Sequence, residues 1–157
     1  MKIVFKELTL SELIILHDSY FESKEPDAPL KRFSEMSPIE QKLALEVYSP
    51  EFHFAAWSGD KLIGFVGVYP DKEPINVGIF YIIHPSFRGQ GYFASLLEAL
   101  IAHCRNKYSH YKYIRALTRK GNLASVRGLS KASFAYNGEC VEELPQLVSY
   151  SEYLLSL

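Results

Sequence analysis

The feature that most constrains the fold is a change of hydrophobic period between residues 76 and 107. The run from Val77 to Ile83 is almost continuously apolar, as in a buried strand, and Pro85 ends it. From Gly91 to about Lys107, apolar residues recur at helical spacing and predict an amphipathic helix. That stripe consists of Phe93, Leu96, Leu97, Leu100, Ile101 and Cys104. A buried strand followed by such a helix predicts a fold of the α/β type.

The remaining pattern predicts the order β-α-α-β-β-β-α-β-α-β-β, a mixed β-sheet flanked by helices in one domain over residues 1–157. Two capping boxes, Thr9 to Glu12 and Ser37 to Glu40, predict helices that end near Ser23 and before Ser49-Pro50. Asn122 is the predicted N-cap of a last helix that reaches Ala132. The predicted strands are Lys2–Phe5, Phe52–Trp57, Lys61–Tyr69, Asn76–Ile83, Tyr113–Thr118, Phe134–Cys140 and Leu147–Leu154.

Composition excludes several classes of protein. The chain is 48% hydrophobic and 22% charged, with a net charge of −1, which is typical of a soluble globular domain and not of a disordered one. No apolar run approaches the ~20 residues of a membrane-spanning helix, and the N-terminus lacks the pattern of a signal peptide. Two cysteines and five histidines show no disulfide framework and no metal-ligand spacing. We therefore expect a cytoplasmic protein without a metal.

Charge is distributed unevenly along the chain. Residues 88–131 contain nine basic residues and one acidic residue, whereas the other residues contain eight basic and seventeen acidic ones. This asymmetry predicts an anion bound by the second half, although solvated helix faces account for it equally well. Nucleic acid is a weak candidate for that anion, because the chain as a whole is slightly acidic and carries no recognition motif.

A short glycine-containing turn, Arg88-Gly89-Gln90-Gly91, lies between the buried strand and the amphipathic helix. Glycines let a ligand approach the backbone, and the N–H groups at the start of a helix favour an anion. The turn is therefore a candidate phosphate site. It is not a Walker loop, because no Gly-Lys-Ser/Thr follows, and the G-x-G-x-x-G dinucleotide pattern is absent.

Two motifs make the sequence similar to the GNAT family, the Gcn5-related N-acetyltransferases. Arg88 and Gly91 match the first two fixed positions of the family motif Q/R-x-x-G-x-G/A, and Phe93 replaces its last small residue. The segments Asn122–Ser125 and Lys131–Phe134 resemble the later motif N-x-x-S/A…K-x-G-F, with Ser133 in place of glycine. The order of elements also matches from Lys2 to Leu154.

The resemblance implies a centrally splayed sheet and acetyl-CoA as cosubstrate. The backbone at Tyr81, Ile82 and Ile83 would pair with the pantetheine arm, and the backbone at Ile83 would stabilise the oxyanion. Asn122 would hydrogen-bond the amide region of the cofactor. The residues that would hold the pyrophosphate are Arg88, Gly89, Gln90, Gly91, Tyr92, Phe93 and Ala94.

The implied activity is direct transfer of an acetyl group to a primary amine of a small molecule or peptide. Leu129 stands where many relatives have a tyrosine acid, and Leu117 stands where some have a glutamate. Tyr81 is the candidate acid, with packing beside the cofactor as its alternative role. A second hypothesis is a catalytically silent acyl-CoA-binding regulatory domain. We expect the acceptor near Tyr20 to Phe33 and no nucleic-acid or membrane partner, and the resemblance also allows a homodimer.

Overall fold

A computed structural model describes residues 1–24, 28–46, 48, 51–71, 73–142 and 148–157. The strands are β1 (Val4–Glu7), β2 (His53–Ser58), β3 (Lys61–Pro70), β4 (Asn76–Ile83), β5 (Tyr113–Arg119), β6 (Ala135–Glu142) and β7 (Val148–Ser156). The helices are α1 (Leu10–Ser23), α2 (Pro38–Glu46), α3 (Tyr92–Lys107) and α4 (Leu123–Lys131), and short 3₁₀ turns cover Phe33–Glu35 and Pro85–Phe87. The predicted order of helices and strands is confirmed.

The seven strands form one mixed sheet in the order β1-β2-β3-β4-β5-β7-β6. Strands β4 and β5 are parallel, with a register from Asn76 opposite Tyr113 to Ile79 opposite Ala116. The pairs β1–β2, β2–β3, β5–β7 and β6–β7 are antiparallel. The prediction of a mixed sheet with helices is therefore confirmed, whereas its central splay stays a prediction.

Several predicted boundaries were displaced. The first strand is Val4–Glu7, two residues later than predicted, because pairing with β2 defines it. As an edge strand it tolerates charged residues, so its local hydrophobicity does not mark its limits. The predicted helix end at Ser49-Pro50 and the predicted strand start at Leu147 lie outside the described residues.

The chain divides into two compact units. Unit 1 comprises Met1–Gly67 and Tyr81–Tyr92, and unit 2 comprises Val68–Phe80 and Phe93–Leu157. The single domain over residues 1–157 stays a prediction. The buried core of unit 1 includes Leu13, Leu16, Phe33, Ala55, Ala56, Ile63, Phe65 and Val66. The core of unit 2 includes Val77, Ile79, Leu96, Leu97, Leu100, Cys104, Ile114, Ala116, Leu129, Phe134 and Tyr153.

Both predicted capping boxes are present. The Thr9 hydroxyl accepts a hydrogen bond from the Glu12 amide at 3.3 Å, and the Glu12 carboxylate accepts one from the Thr9 amide at 2.8 Å. Ser37 and Glu40 make the same reciprocal pair at 3.2 and 2.7 Å. These local bonds satisfy amides that the first helical turn leaves without partners, so short sequence signals fix the starts of α1 and α2.

Helix α4 ends in a Schellman motif in which Ser133 occupies the position usually taken by glycine. The Phe134 amide donates to the Leu129 carbonyl at 3.0 Å, and the Ser133 amide donates to the Ser130 carbonyl at 3.1 Å. Ser133 has a φ of 69°, a left-handed conformation that is costly for a residue with a Cβ. Ser133 therefore adopts the left-handed conformation that this helix end requires, although it carries a side chain.

We expect Ser133→Gly to stabilise the protein by about 0.5–1 kcal/mol, because glycine removes the left-handed strain at some cost in unfolded-chain entropy. The change in the urea unfolding midpoint measures this effect. Ser130→Gly is the control within the helix, where glycine lowers stability instead. A destabilised Ser133→Gly variant would contradict the prediction.

Candidate active site

The end of strand β4 lies unusually close to strand β3 within unit 1. A Cβ atom added to Gly64 would overlap the carbonyl oxygen of Ile82 and would lie 3.1 Å from the Cα of Ile83. Only glycine fits this approach, because the obstacle is backbone that cannot rotate away. Tyr81, Ile82 and Ile83, all half-buried, are therefore held in place from the β3 side.

The loop after β4 is braced by its own hydrogen bonds. His84 Nδ1 accepts a bond from the Ser86 amide at 3.1 Å and so caps the 3₁₀ turn that begins at Pro85. The Arg88 amide donates to the Pro85 carbonyl at 3.3 Å, and the Gln90 side-chain amide donates to the Ser86 carbonyl at 2.8 Å. This bracing ends at the segment Arg88–Tyr92, which we call the glycine turn.

Two left-handed glycines shape the glycine turn. Gly89 has a φ of 71° and Gly91 a φ of 84°, and both are exposed. A Cβ at Gly89 would meet no atom within 4 Å, and one at Gly91 would meet only Met1 Cε, at 3.5 Å. Within the described part of the chain, the backbone N–H groups of Gly89, Gln90, Gly91 and Tyr92 donate to no protein acceptor. The turn therefore presents amide donors beside open space at the start of α3.

Arg88 places a cation at the beginning of the glycine turn. Its Nε donates to the Ile83 carbonyl at 2.9 Å, and its guanidinium lies 5.8 Å from the centre of the Tyr20 ring on α1. The side chain thus connects the end of β4 with α1. An anion at the turn would meet a positive charge whose position is already fixed.

In unit 2, Phe93 and Asn122 have structural partners. The Phe93 ring packs on Gly128 of α4 so closely that a Cβ on Gly128 would overlap it. Ala94 is exposed in the first turn of α3. Asn122 Oδ1 accepts a hydrogen bond from the Ser125 amide at 3.2 Å and caps α4 as predicted. The side-chain N–H₂ of Asn122 is the group left for donation to a ligand.

The two leucines at the family's acid and base positions differ in burial. Leu129 is fully buried on α4, whereas Leu117 is half-buried on β5, opposite Glu152 of β7. Tyr136 is 57% exposed, and its hydroxyl donates to Glu139 at 2.9 Å, which raises the pKa of the phenol. Cys104 is an unreactive thiol, because burial raises its pKa to about 12. None of these four side chains is assigned as the catalytic acid or base.

Part of the positive charge in residues 88–131 is neutralised inside unit 2. Arg115 is largely buried; its Nε donates to Glu152 at 2.5 Å and its Nη1 lies 3.4 Å from Asp71. Lys120 lies 3.2 Å from Glu139. Local sequence patterns do not indicate these pairs because the carboxylates come from distant segments. Arg115 and Lys120 therefore belong to protein ion pairs, so the charge asymmetry overstates the positive charge open to a ligand.

Among the described residues, no group of three His, Cys, Asp or Glu side chains could hold a metal ion. None of the described helices has the length and apolarity that crossing a bilayer requires.

A strand that leads through an amide-lined turn into a helix, at the centre of a mixed sheet, defines a fold suited to binding a phosphate-containing ligand. The model of the acetyltransferase (GNAT) family matches residues 11–134, so the chain belongs to this family. The resemblance inferred from the two motifs is thereby confirmed. No curated protein matches the chain in sequence.

Solved structures share the fold at low sequence identity. The aminoglycoside acetyltransferase AAC(6')-Ib in complex with coenzyme A is 18% identical, with a TM-score of 0.77 over 99% of this chain and 95% of the other. The acetyltransferase yncA of Salmonella typhimurium with acetyl-CoA is 14% identical, with a TM-score of 0.69 over 100% and 95%. The spermidine/spermine N-acetyltransferase SpeG of Vibrio cholerae is 16% identical, with a TM-score of 0.70 over 99% and 95%.

Proposed function

We propose that the protein transfers an acetyl group from acetyl-CoA to a primary amine of a small molecule or peptide by direct attack of the neutral amine. The observation that carries this proposal is the glycine turn, whose amide donors lie in an exposed segment beside open space, next to the cation of Arg88. Backbone amides at a helix start are a favourable site for the pyrophosphate of coenzyme A. Family membership supplies the reaction class.

Each predicted cofactor contact keeps its role in the proposal. Tyr81, Ile82 and Ile83 bind the pantetheine arm through their backbone, and the Ile83 backbone stabilises the oxyanion that forms on the thioester. Asn122 donates its side-chain N–H₂ to the amide region. The pyrophosphate is held by Arg88, Gly89, Gln90, Gly91, Tyr92, Phe93 and Ala94. Because the Phe93 ring packs against Gly128, Phe93 contributes to the pyrophosphate site through its backbone.

The acceptor site is proposed near the end of α1 and the segment up to Phe33. Glu22 at this place already pairs with Arg32 at 2.7 Å, and two further acidic residues of the segment, Glu25 and Asp27, lie outside the described residues. An amine-bearing acceptor is supported by two structural relatives, which are described as aminoglycoside and spermidine/spermine acetyltransferases. A cytoplasmic location and a homodimer stay predictions of the sequence.

A screen of amines with acetyl-CoA, which follows the release of free coenzyme A thiol, tests this function. Polyamines, aminoglycosides and peptides with free N-termini form the panel, and their N-acetylated forms are the controls because they offer no nucleophile at the same place. We expect thiol release and an acetylated product with at least one free amine. Binding of acetyl-CoA without turnover of any amine would favour the regulatory domain instead.

The Tyr81→Phe variant tests whether the Tyr81 phenol is the catalytic acid. If the phenol protonates the leaving thiolate, its loss is expected to lower kcat by about 10²-fold and to leave the KM for acetyl-CoA nearly unchanged. Tyr136→Phe is the control, since that phenol bonds to Glu139. Equal rates for Tyr81→Phe and the parent would assign Tyr81 to packing alone.

A further inference from the structure

His84 connects the glycine turn to helix α1 through a hydrogen-bond chain within unit 1. Its Nδ1 accepts from the Ser86 amide at 3.1 Å, and its Nε2 lies 2.6 Å from Ser19 Oγ. Ser19 Oγ donates its own proton to the Ile15 carbonyl at 2.7 Å. The His84 amide, in turn, donates to the Ile63 carbonyl at 2.7 Å. The residue thus has contacts on α1, on β3 and in its own loop.

The chain of bonds fixes the protonation state of the ring. A backbone amide can only donate, so Nδ1 must carry a lone pair. The Ser19 hydroxyl has already given its proton to Ile15, so it must accept the N–H of Nε2. His84 is therefore neutral and protonated at Nε2. A second proton would place Nδ1–H against the Ser86 amide and break the cap.

Helix α1 contacts the loop after β4 at both of its ends. Ser19 and Tyr20 are consecutive on α1; Ser19 contacts the ring at the start of the loop, and Tyr20 contacts Arg88 at its end. The loop between His84 and Arg88 contains the capped 3₁₀ turn and leads directly into Gly89 and Gly91. Loss of the cap would free residues 85–88 to move and would displace the amide donors that follow.

We infer that neutral His84 is a positioning residue, which holds the glycine turn in the conformation that binds coenzyme A by capping the 3₁₀ turn and anchoring it to Ser19. The inference rests on the proposed function, because it takes the glycine turn as the pyrophosphate site. It adds a residue that touches neither cofactor nor acceptor. It also couples cofactor binding to α1, where the acceptor is proposed.

The inference predicts a particular dependence on pH. Burial lowers the pKa of His84 below the ordinary value of about 6.5, although the Glu22 carboxylate on α1 acts in the opposite direction. The Arg88 guanidinium is directed to the Ile83 carbonyl and the Tyr20 ring, and the β3 group that contacts His84, the Ile63 carbonyl, is neutral. The native state favours the neutral ring. The contribution of His84 to acetyl-CoA affinity is therefore complete above pH ~6.5 and is lost as the pH falls through the lower native pKa.

Calorimetric titration with acetyl-CoA between pH 5 and 8 tests the inference by binding alone. We expect His84→Ala to bind about 5- to 10-fold more weakly at pH 7.5, in line with the loss of one or two hydrogen bonds. His84→Asn keeps a side-chain oxygen for the Ser86 amide, so it should remain within about threefold of the parent. Ser19→Ala likewise keeps the cap and loses only the anchor to α1, so its affinity should also remain within about threefold of the parent.

The pH series separates positioning from a general loss of stability. The parent and the exposed-histidine control His110→Asn should lose affinity in parallel as the pH falls, whereas His84→Asn should lack the component due to His84. Titration of the cofactor phosphates and of His103, whose pKa burial also lowers, is common to all variants and cancels in the comparison. Nitrogen-15 spectra of the unliganded protein at pH 7.5 should show the His84 ring protonated at Nε2 alone.

Identical pH profiles for the parent and His84→Asn, or a ring protonated at Nδ1, would overturn the inference. If His84→Ala does not fold, the comparison of the parent, His84→Asn and His110→Asn still decides it. Failure of the parent itself to bind acetyl-CoA would overturn the proposed function instead, so the two failures are distinguishable.

Discussion

Gly91→Val is expected to weaken acetyl-CoA binding at least about tenfold, because its methyl groups would fill the open space beside the amide donors of the glycine turn. Loss of one charge-assisted hydrogen bond to the pyrophosphate costs about 1.5–3 kcal/mol, and 1.4 kcal/mol corresponds to a factor of ten in affinity. The φ of 84° at Gly91 adds left-handed strain that lowers stability by about 1–2 kcal/mol. Calorimetry with acetyl-CoA and urea unfolding measure the two effects separately.

Gly59→Val is the matched control for that strain. Gly59 lies in the turn between β2 and β3 with a φ of 61°, and a Cβ there would meet no atom within 4 Å. It should lose a similar amount of stability and bind acetyl-CoA like the parent. A Gly91→Val variant with parental affinity, or an equal loss of affinity in both variants, would place the pyrophosphate elsewhere.

Gly64→Ala is expected to cost about 3 kcal/mol or more of unfolding free energy, a large share of the 5–15 kcal/mol of a typical domain. The added methyl group would overlap the Ile82 carbonyl oxygen and would lie 3.0 Å from its carbon, so β3 and β4 must move apart. The same movement shifts Ile82 and Ile83, the proposed backbone contacts of the pantetheine arm. The urea unfolding midpoint measures the loss of stability.

Gly78→Ala provides the comparison for Gly64→Ala, because both glycines are buried in strands. The obstacle at Gly78 is the ring of Tyr69, a side chain that can change its rotamer. We therefore expect Gly78→Ala to cost only about 1–2 kcal/mol. If Gly64→Ala were no more destabilising than Gly78→Ala, the close backbone approach at Ile82 would not be a rigid requirement.

The parts of the fold that the sequence predicted are those encoded by neighbouring residues. Capping boxes at Thr9 and Ser37 and the apolar stripe of α3 act within one or a few helical turns, so their spacing is visible in the chain. The glycine turn was visible for the same reason. Its amide donors and left-handed glycines follow from a short motif that lies between a strand and a helix.

Contacts between residues far apart in the chain could not be predicted from local sequence patterns. Ser19 and His84 are 65 positions apart, and Arg115 and Glu152 are 37 apart. Local patterns carry no information about such pairs, so the anchoring of the loop and the neutralisation of Arg115 appeared only with the fold. The Pro85 that follows His84 marked a turn, yet it did not indicate that the imidazole closes it. The first strand was displaced because its partner β2, and not its own hydrophobicity, sets its limits.

The complete burial of Leu129 makes a tyrosine acid at this position costly to introduce. A tyrosine installed there would have to fit several extra atoms into a filled interior, which commonly costs about 1–3 kcal/mol. Its hydroxyl would also need a hydrogen-bond partner in the apolar core. Leu129→Tyr alone would therefore damage folding before it could help the reaction. Engineering a tyrosine acid at this position would require smaller residues around it and a hydrogen-bond partner for its hydroxyl, introduced together.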